Sequence, residues 1–193
     1  MLRLIPYNRQ AAVAYAHKWA FGRNPAFFDF SDLGGDCTNF ASQCLYAGTG
    51  VMNFTPELGW YYIDVNNRAP AWTGVPFFWE FMTRDDVSDG PFGLQTTTNF
   101  IRPGDFVQIR FGSSGEVFAH TPVIVSVGYP PALDNILVAA HSNDADNRPL
   151  STYEDVEEMR FLHILGAALI TENGEEMPVI SENQLQSGEE AEE

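Results

Sequence analysis

The sequence predicts an α+β fold in which N-terminal helices pack on an antiparallel β-meander. Helical patterns fill much of residues 8–46, whereas turn-bounded segments of alternating apolar and polar residues dominate from residue 101 onward. Helices that precede the strands, instead of alternating with them, are typical of α+β domains. The length of 193 residues fits one domain, which we place at 1–170, followed by a tail at 171–193.

Two helices are predicted before residue 50, and a third near residue 80. Asn8 can cap the first, because its side chain can accept a hydrogen bond from a free backbone N–H, and an alanine-rich segment follows it. The second is predicted at 37–46, after which two glycines end it. The third, at 75–83, lies within an aromatic segment, 52–100, that we otherwise expect to form packed loops.

Four strands are predicted in the C-terminal half. The second carries His120 near its start, and the third ends at His141. Consecutive strands of a meander pair as neighbours, so the two histidines can lie side by side. The four predicted strands are 106–111, 118–127, 135–141 and 158–165.

The charge of the chain is strongly acidic and unevenly distributed. Ten basic residues face 26 acidic ones, for a net charge of −16, and eight of the glutamates lie in 172–193. Such a segment cannot offset its ordering entropy by burial, so we expect a disordered acidic tail; a peptide that binds a basic partner is the alternative. The scarcity of basic residues argues against a nucleic-acid partner and against docking on anionic membranes. No run of 18 apolar residues occurs, which argues against membrane insertion.

The two cysteines are expected to differ in role. Cys37 and Cys44 are seven residues apart on one predicted helix, about 10.5 Å along its axis. A disulfide needs Cα atoms within roughly 7 Å, so we expect none, and Cys44 fits a small core residue. Cys37 falls at the helix start, where free N–H groups and the helix dipole favour a thiolate. From position alone, a nucleophilic Cys37 and a structural one are both open.

The histidines favour the nucleophilic alternative. A cysteine nucleophile needs a base within hydrogen-bond reach, and the base needs an orienting partner. His120 and His141 can both face the helix that begins at Cys37, and Asn143 and Asp144 are nearby candidates for the orienting group. The other two histidines, His17 and His163, are expected to be structural.

Two further features of the sequence, its lack of metal-site spacings and its aromatic residues, carry less information about function. The histidines and cysteines lack metal-site spacings such as His-x-x-x-His or Cys-x-x-Cys, and we expect no metal or other cofactor. The aromatic residues at 60–81, such as Trp60 and Trp72, are expected mainly in the core, with a substrate groove as the alternative.

One segment resembles a known family. Gly35-Asp-Cys-Thr-Asn-Phe-Ala-Ser-Gln43, followed by Cys44-Leu-Tyr-Ala-Gly48, is similar to the nucleophile segment of the family named “Putative amidase domain”. That family belongs to the papain-like cysteine peptidases, near the NlpC/P60 and CHAP cell-wall hydrolases. The resemblance covers roughly residues 7–166. Its other segments are Tyr7–Ala16, Trp60-Tyr61 and Trp72, Pro103-Gly-Asp105, Ala119-His120, and Ala140-His-Ser-Asn-Asp144 with Pro149-Leu150.

The resemblance implies a papain-like fold and a catalytic set of four residues. It implies that Cys37 is the nucleophile and that His120 acts first as base and then as acid. It implies that His141 takes the third, orienting position of NlpC/P60 enzymes and that Asn143 is the extra polar residue of CHAP relatives. It also implies a peptide or peptidoglycan substrate of bacterial origin and action outside the cell, although the start of the sequence lacks a recognisable signal peptide.

Three functional hypotheses follow. The leading one is a cysteine amidase or endopeptidase that hydrolyses peptide bonds or amides of the bacterial cell wall. The alternative is a catalytically inactive cell-wall or peptide-binding module with the same fold. A third is acyl transfer, in which an amine replaces water at the acyl-enzyme.

Overall fold

The computed structural model describes residues 1–86 and 88–170. The predicted tail, 171–193, lies outside the described residues. Within them the chain is a mixed structure of a few helices and a curled antiparallel β-sheet, which confirms the predicted α+β class. None of the described helices has the length and apolarity needed to cross a bilayer.

The predicted helices all form. Asn8 caps α1 as expected, because its Oδ1 accepts the backbone N–H of Ala11 at 3.1 Å. The second helix begins at Cys37 as predicted but runs three residues past its predicted end, to Thr49, and Gly50 ends it in the left-handed conformation with φ 65°. The α-helices of the described residues are α1 (Arg9–Trp19), α2 (Cys37–Thr49), α3 (Pro70–Thr73) and α4 (Val75–Met82).

The strands are more numerous than the sequence predicted. The unpredicted ones are short, polar, or rich in glycine and proline, residues that strands generally disfavour. The strands are β1 (Leu2–Ile5), β2 (Tyr62–Asp64), β3 (Asn67–Arg68), β4 (Gly90–Thr96), β5 (Phe106–Phe111), β6 (Val123–Val127), β7 (Ile136–Ala140), β8 (Ala145–Pro149) and β9 (Val156–Ile170).

The main sheet has the order β1-β9-β5-β6-β7-β8, with β4 also paired to β9, and β2 pairs with β3 apart from it. The consecutive strands β5, β6 and β7 pair in order as the predicted meander, and the unpredicted β8 continues it. The predicted fourth strand, by contrast, returns to pair with β5 and not with β7. The second predicted strand was also too long, since β6 begins only at Val123; His120 forms an isolated bridge to Ile109 instead.

The core lies between α1, α2 and the sheet, where these helices contact β6 and β7. Trp60 and Trp72 are fully buried, so the core interpretation of these aromatics is correct. Their indole N–H groups donate to Ser42 Oγ at 3.0 Å and to Asn39 Oδ1 at 2.9 Å, respectively. These bonds anchor α2 to the two tryptophans. Without them the buried indole N–H groups would lack partners, which would destabilise the fold.

Candidate active site

Cys37 is the first residue of α2 and is 7% exposed. Its thiol lies 3.8 Å from Thr38 Oγ1. The hydroxyls of Thr38 and Thr121 are themselves 3.2 Å apart. Because Thr121 directly follows His120, these contacts join the start of α2 to the segment that carries the predicted base.

The predicted lowering of the Cys37 pKa is not found. Burial raises the pKa of the Cys37 thiol above its ordinary value, and the nearby Asp36 carboxylate adds to the rise. Hydrogen bonds from Thr121 and Thr38 oppose this without cancelling it. The effect of the helix start, which lowers a thiol pKa, is therefore smaller here than the effect of desolvation, which raises it. The resting group is a thiol.

His120 is 7% exposed and lies in the same site. Its Nε2 is 3.3 Å from the hydroxyl of Tyr153, and among the described residues no hydrogen bond engages its Nδ1. Burial, and secondarily the Arg148 guanidinium, lower the pKa of His120 to about 4, so the ring is neutral near pH 7. A neutral imidazole with an unengaged nitrogen is able to accept a proton.

Tyr153 was not among the sequence-predicted residues. Burial raises the pKa of Tyr153 to about 12, and a thiolate at Cys37 would raise it further. Tyr153 thus contacts His120 and lies within electrostatic reach of Cys37. It follows a short 3₁₀ turn, Leu150–Thr152, and no sequence motif singles it out.

Both ring nitrogens of His141 have partners other than His120. Its Nδ1 lies 2.5 Å from Asp36 Oδ2, and its Nε2 lies 2.8 Å from the carbonyl oxygen of Trp19. Both ring nitrogens face oxygen acceptors, and the ring stacks on Phe40 with centroids 4.0 Å apart. His141 therefore has no nitrogen left to orient His120.

Neither of the other two candidate orienters has a hydrogen bond to His120 within the described part of the chain. Asn143 lines the cavity next to His120, and its backbone is left-handed with φ 80°. Asp144 forms an ion pair with Arg23 at 2.9 Å. Tyr153 occupies the place expected for one of these residues.

Asp36 is a structural acceptor that the sequence did not reveal. Its Oδ1 accepts the backbone N–H of Phe30 at 2.9 Å and the side-chain amide of Asn39 at 2.8 Å, while Oδ2 faces His141. Its own backbone N–H donates to Ser142 Oγ at 2.9 Å. Asp36 therefore ties the loop before Cys37 to the end of β7.

A cavity of about 320 Å³ opens beside His120. It provides polar groups and one cation at the point where a substrate would reach the histidine. Its lining residues are Phe111, Ala119, His120, Ser142, Asn143, Arg148, Tyr153 and Glu154.

The remaining histidines and the second cysteine lie outside this site. His17 pairs with Asp146 and His163 with Asp105, so each has a structural partner. Cys44 is fully buried in the core, and both cysteines are free, which confirms the predicted absence of a disulfide. Within 1–86 and 88–170, no group of three or more His, Cys, Asp and Glu side chains could hold a metal ion.

The protein is therefore an α+β domain in which a buried cysteine begins a helix near a neutral histidine. The chain belongs to the family “Putative amidase domain”, whose profile matches residues 6–164. The family name indicates hydrolysis of amide bonds.

The chain is also similar to “Uncharacterized protein YhbB” of Bacillus subtilis (strain 168), with 31% identity over 125 residues. That match covers 64% of this chain but only 39% of the relative's length. No solved structure matches the chain at a significant level.

Proposed function

We propose that this chain is a cysteine-dependent amide hydrolase of the papain-like type, acting on peptide bonds or amides of the bacterial cell wall. One observation carries the proposal. The buried Cys37 begins α2, and Thr38, the next residue, donates its hydroxyl to that of Thr121 at 3.2 Å. Thr121 directly follows His120, a neutral histidine whose Nδ1 has no hydrogen bond to any described residue. The family assignment supports amide cleavage as the reaction.

The first chemical step is general-base catalysis. The Cys37 sulfur forms a bond to the amide carbonyl carbon while His120 Nδ1 takes the thiol proton. The carbonyl oxygen becomes an oxyanion, and the Cys37 N–H at the start of α2 can donate to it, because the first N–H groups of a helix lack intrahelical partners.

The second step releases the products. The tetrahedral intermediate collapses with cleavage of the C–N bond, and His120 gives its proton to the leaving amine. Water, deprotonated by His120, then attacks the thioester. The carboxylic acid leaves and the thiol is restored, so protons and electron pairs balance over the cycle.

The resting protonation states favour this route over a preformed thiolate–imidazolium pair. Burial raises the pKa of Cys37 and lowers that of His120, so both groups are neutral before substrate binds. Proton transfer then accompanies attack, and the charge develops only in the transition state, where preorganised dipoles stabilise it best.

The cell-wall substrate rests on the resemblance of the segment around Cys37 to cell-wall hydrolases. The relative's name states no substrate, and the chain spans about two fifths of that protein's length. The activity, substrate and site of action of the whole protein are therefore part of the proposal.

One observation favours the second candidate, an inactive peptide-binding module. A thiol with a raised pKa is a small fraction thiolate at neutral pH, which is the state expected of a cysteine without catalytic activation. Such a module would bind peptidoglycan in the cavity without turnover.

Mass-spectrometric digestion of purified peptidoglycan separates the two candidates. The wild-type protein should release peptide fragments whose masses identify the broken amide, and the Cys37→Ala protein should release none. Sedimentation of the protein with peptidoglycan, without any fragment release by the wild type, would establish the binding module instead.

A further inference from the structure

Arg148 places a cation in the cavity beside His120. It lies on β8, and its guanidinium carbon is 3.8 Å from the centre of the Tyr153 ring. Its Nε donates to Thr152 Oγ1 and its Nη2 to the Thr152 carbonyl oxygen, both at 2.9 Å. These contacts hold the guanidinium plane in a fixed orientation.

The guanidinium lacks an acidic partner within the described chain. Arg23 and Arg110 lie within ion-pair distance of Asp or Glu oxygens, whereas no described carboxylate oxygen lies within 4.0 Å of the Arg148 nitrogens. Glu154 lines the same cavity but is not within that distance. A fixed, unpaired guanidinium in a cavity is a good receptor for a carboxylate, because its planar donors match two carboxylate oxygens.

We propose that Arg148 binds a carboxylate of the substrate, so that the preferred substrates are peptides with a free carboxylate next to the amide that Cys37 attacks. The cavity of about 320 Å³ places this cation and His120 on one surface. The inference rests on the proposed function, since it names the substrate class of the same site.

A bound carboxylate would also improve the base. The Arg148 cation is one of the causes that lower the pKa of His120. A substrate carboxylate on Arg148 would offset this charge, and His120 would become more basic only when an acidic substrate is present.

Two alkylating reagents of almost equal size test the carboxylate preference. Iodoacetate carries a carboxylate, and iodoacetamide is its neutral amide; with either one the Cys37 sulfur displaces iodide. The rate constants at Cys37, measured at pH 9 by peptide mass spectrometry, give a ratio of iodoacetate to iodoacetamide for each protein. The ratio should fall about tenfold in Arg148→Gln, the loss expected for one charged hydrogen bond.

Two variants control this measurement. Arg148→Lys keeps the charge and should retain part of the preference. Arg3→Gln removes an exposed arginine on β1, at the other end of the strand order from β8, and should leave the ratio unchanged. An equal ratio in wild type and Arg148→Gln, or an equal fall in Arg3→Gln, would overturn the proposal.

A binding measurement keeps the test independent of thiol chemistry. N-acetylglycine should raise the melting temperature of the wild type, whereas N-acetylglycinamide should not, and neither should stabilise Arg148→Gln. Equal effects of acid and amide on the wild type would overturn the inference. Carboxylate-specific stabilisation together with a Cys37 that iodoacetamide does not modify would uphold the inference and contradict the proposed function.

Discussion

The Oδ2 of Asp36 lies 2.5 Å from the Nδ1 of His141, and both side chains are almost completely buried. Asp36 immediately precedes Cys37, and His141 immediately follows β7. Since Asp36 also accepts hydrogen bonds from Phe30 and Asn39, the pair fixes the loop that leads into the candidate nucleophile. We therefore propose that His141 positions this loop and is not a partner of His120.

Replacing Asp36 by Asn should destabilise the protein by about 1–3 kcal/mol, because it removes the buried carboxylate oxygen that faces His141 Nδ1 and leaves buried polar groups without their full set of partners. The free energy of unfolding, measured in urea, checks this. The exposed pair of His17 and Asp146 provides the matched control, and Asp146→Asn should change stability little.

A double-mutant cycle shows whether the buried pair acts as a unit. The double variant Asp36→Asn/His141→Gln should be less destabilised than the sum of its single variants, because the single variants each leave one buried group unpaired. Strict additivity would contradict a direct interaction between the two side chains.

The buried His120 should make stability depend on pH. Its pKa is lowered from 6.5 to about 4, so the unfolded chain binds a proton that the folded chain does not between these values. Stability is then complete above pH 6.5 and falls as pH drops towards 4, by on the order of 3 kcal/mol.

Comparison with His120→Gln isolates this contribution from that of the other groups that titrate in the same range. The difference in unfolding free energy between the two proteins should shrink as the pH is lowered from 7 to 4. A difference that stays constant over this range would show that His120 titrates alike in the folded and unfolded chains.

Replacing Tyr153 by Phe should lower kcat by about three- to tenfold while KM changes less. The variant removes the hydroxyl that contacts His120 Nε2, a bond worth about 1 kcal/mol, but keeps the ring on which Arg148 lies. Tyr129→Phe, at a tyrosine that is 98% exposed, is the control. A Tyr153→Phe enzyme with wild-type kcat would exclude the orienting role.

The alkylation rate of Cys37 should rise with pH beyond its value at pH 7, because burial raises the thiol pKa above its ordinary value of 9.0. Iodoacetamide labelling between pH 6 and 10, followed on the peptide that contains Cys37, measures this. Cys44, whose pKa burial raises well above the ordinary value, should react more slowly at every pH. A plateau of Cys37 labelling reached below pH 7 would indicate a preformed thiolate.

The helices that position the site could be predicted from the sequence. The contacts within the site could be predicted less well. Capping by Asn8, the helix that starts at Cys37 and the burial of Cys44 depend on local pattern, and all are confirmed. The partners of His141 and His120 depend on tertiary packing between distant segments. Neither the Asp36–His141 pair nor the Tyr153 contact could therefore be read from spacing along the chain.

The dependence on tertiary packing also explains why the sequence predicts the wrong direction for the pKa shift of Cys37. A helix start lowers a cysteine pKa by a local effect that the sequence reveals, whereas desolvation depends on how completely the rest of the fold covers the sulfur. Cys37 is 7% exposed, and burial is the largest cause of its shift.

In the proposed mechanism Cys37 forms the covalent bond to the substrate. The most direct test is the initial rate at which new amino groups appear from peptidoglycan with wild type, Cys37→Ala and Cys44→Ala under identical conditions. Cys44→Ala should retain most of the wild-type rate, whereas Cys37→Ala, folded as shown by its circular dichroism, should release none. Hydrolysis by Cys37→Ala at the wild-type rate would contradict this mechanism.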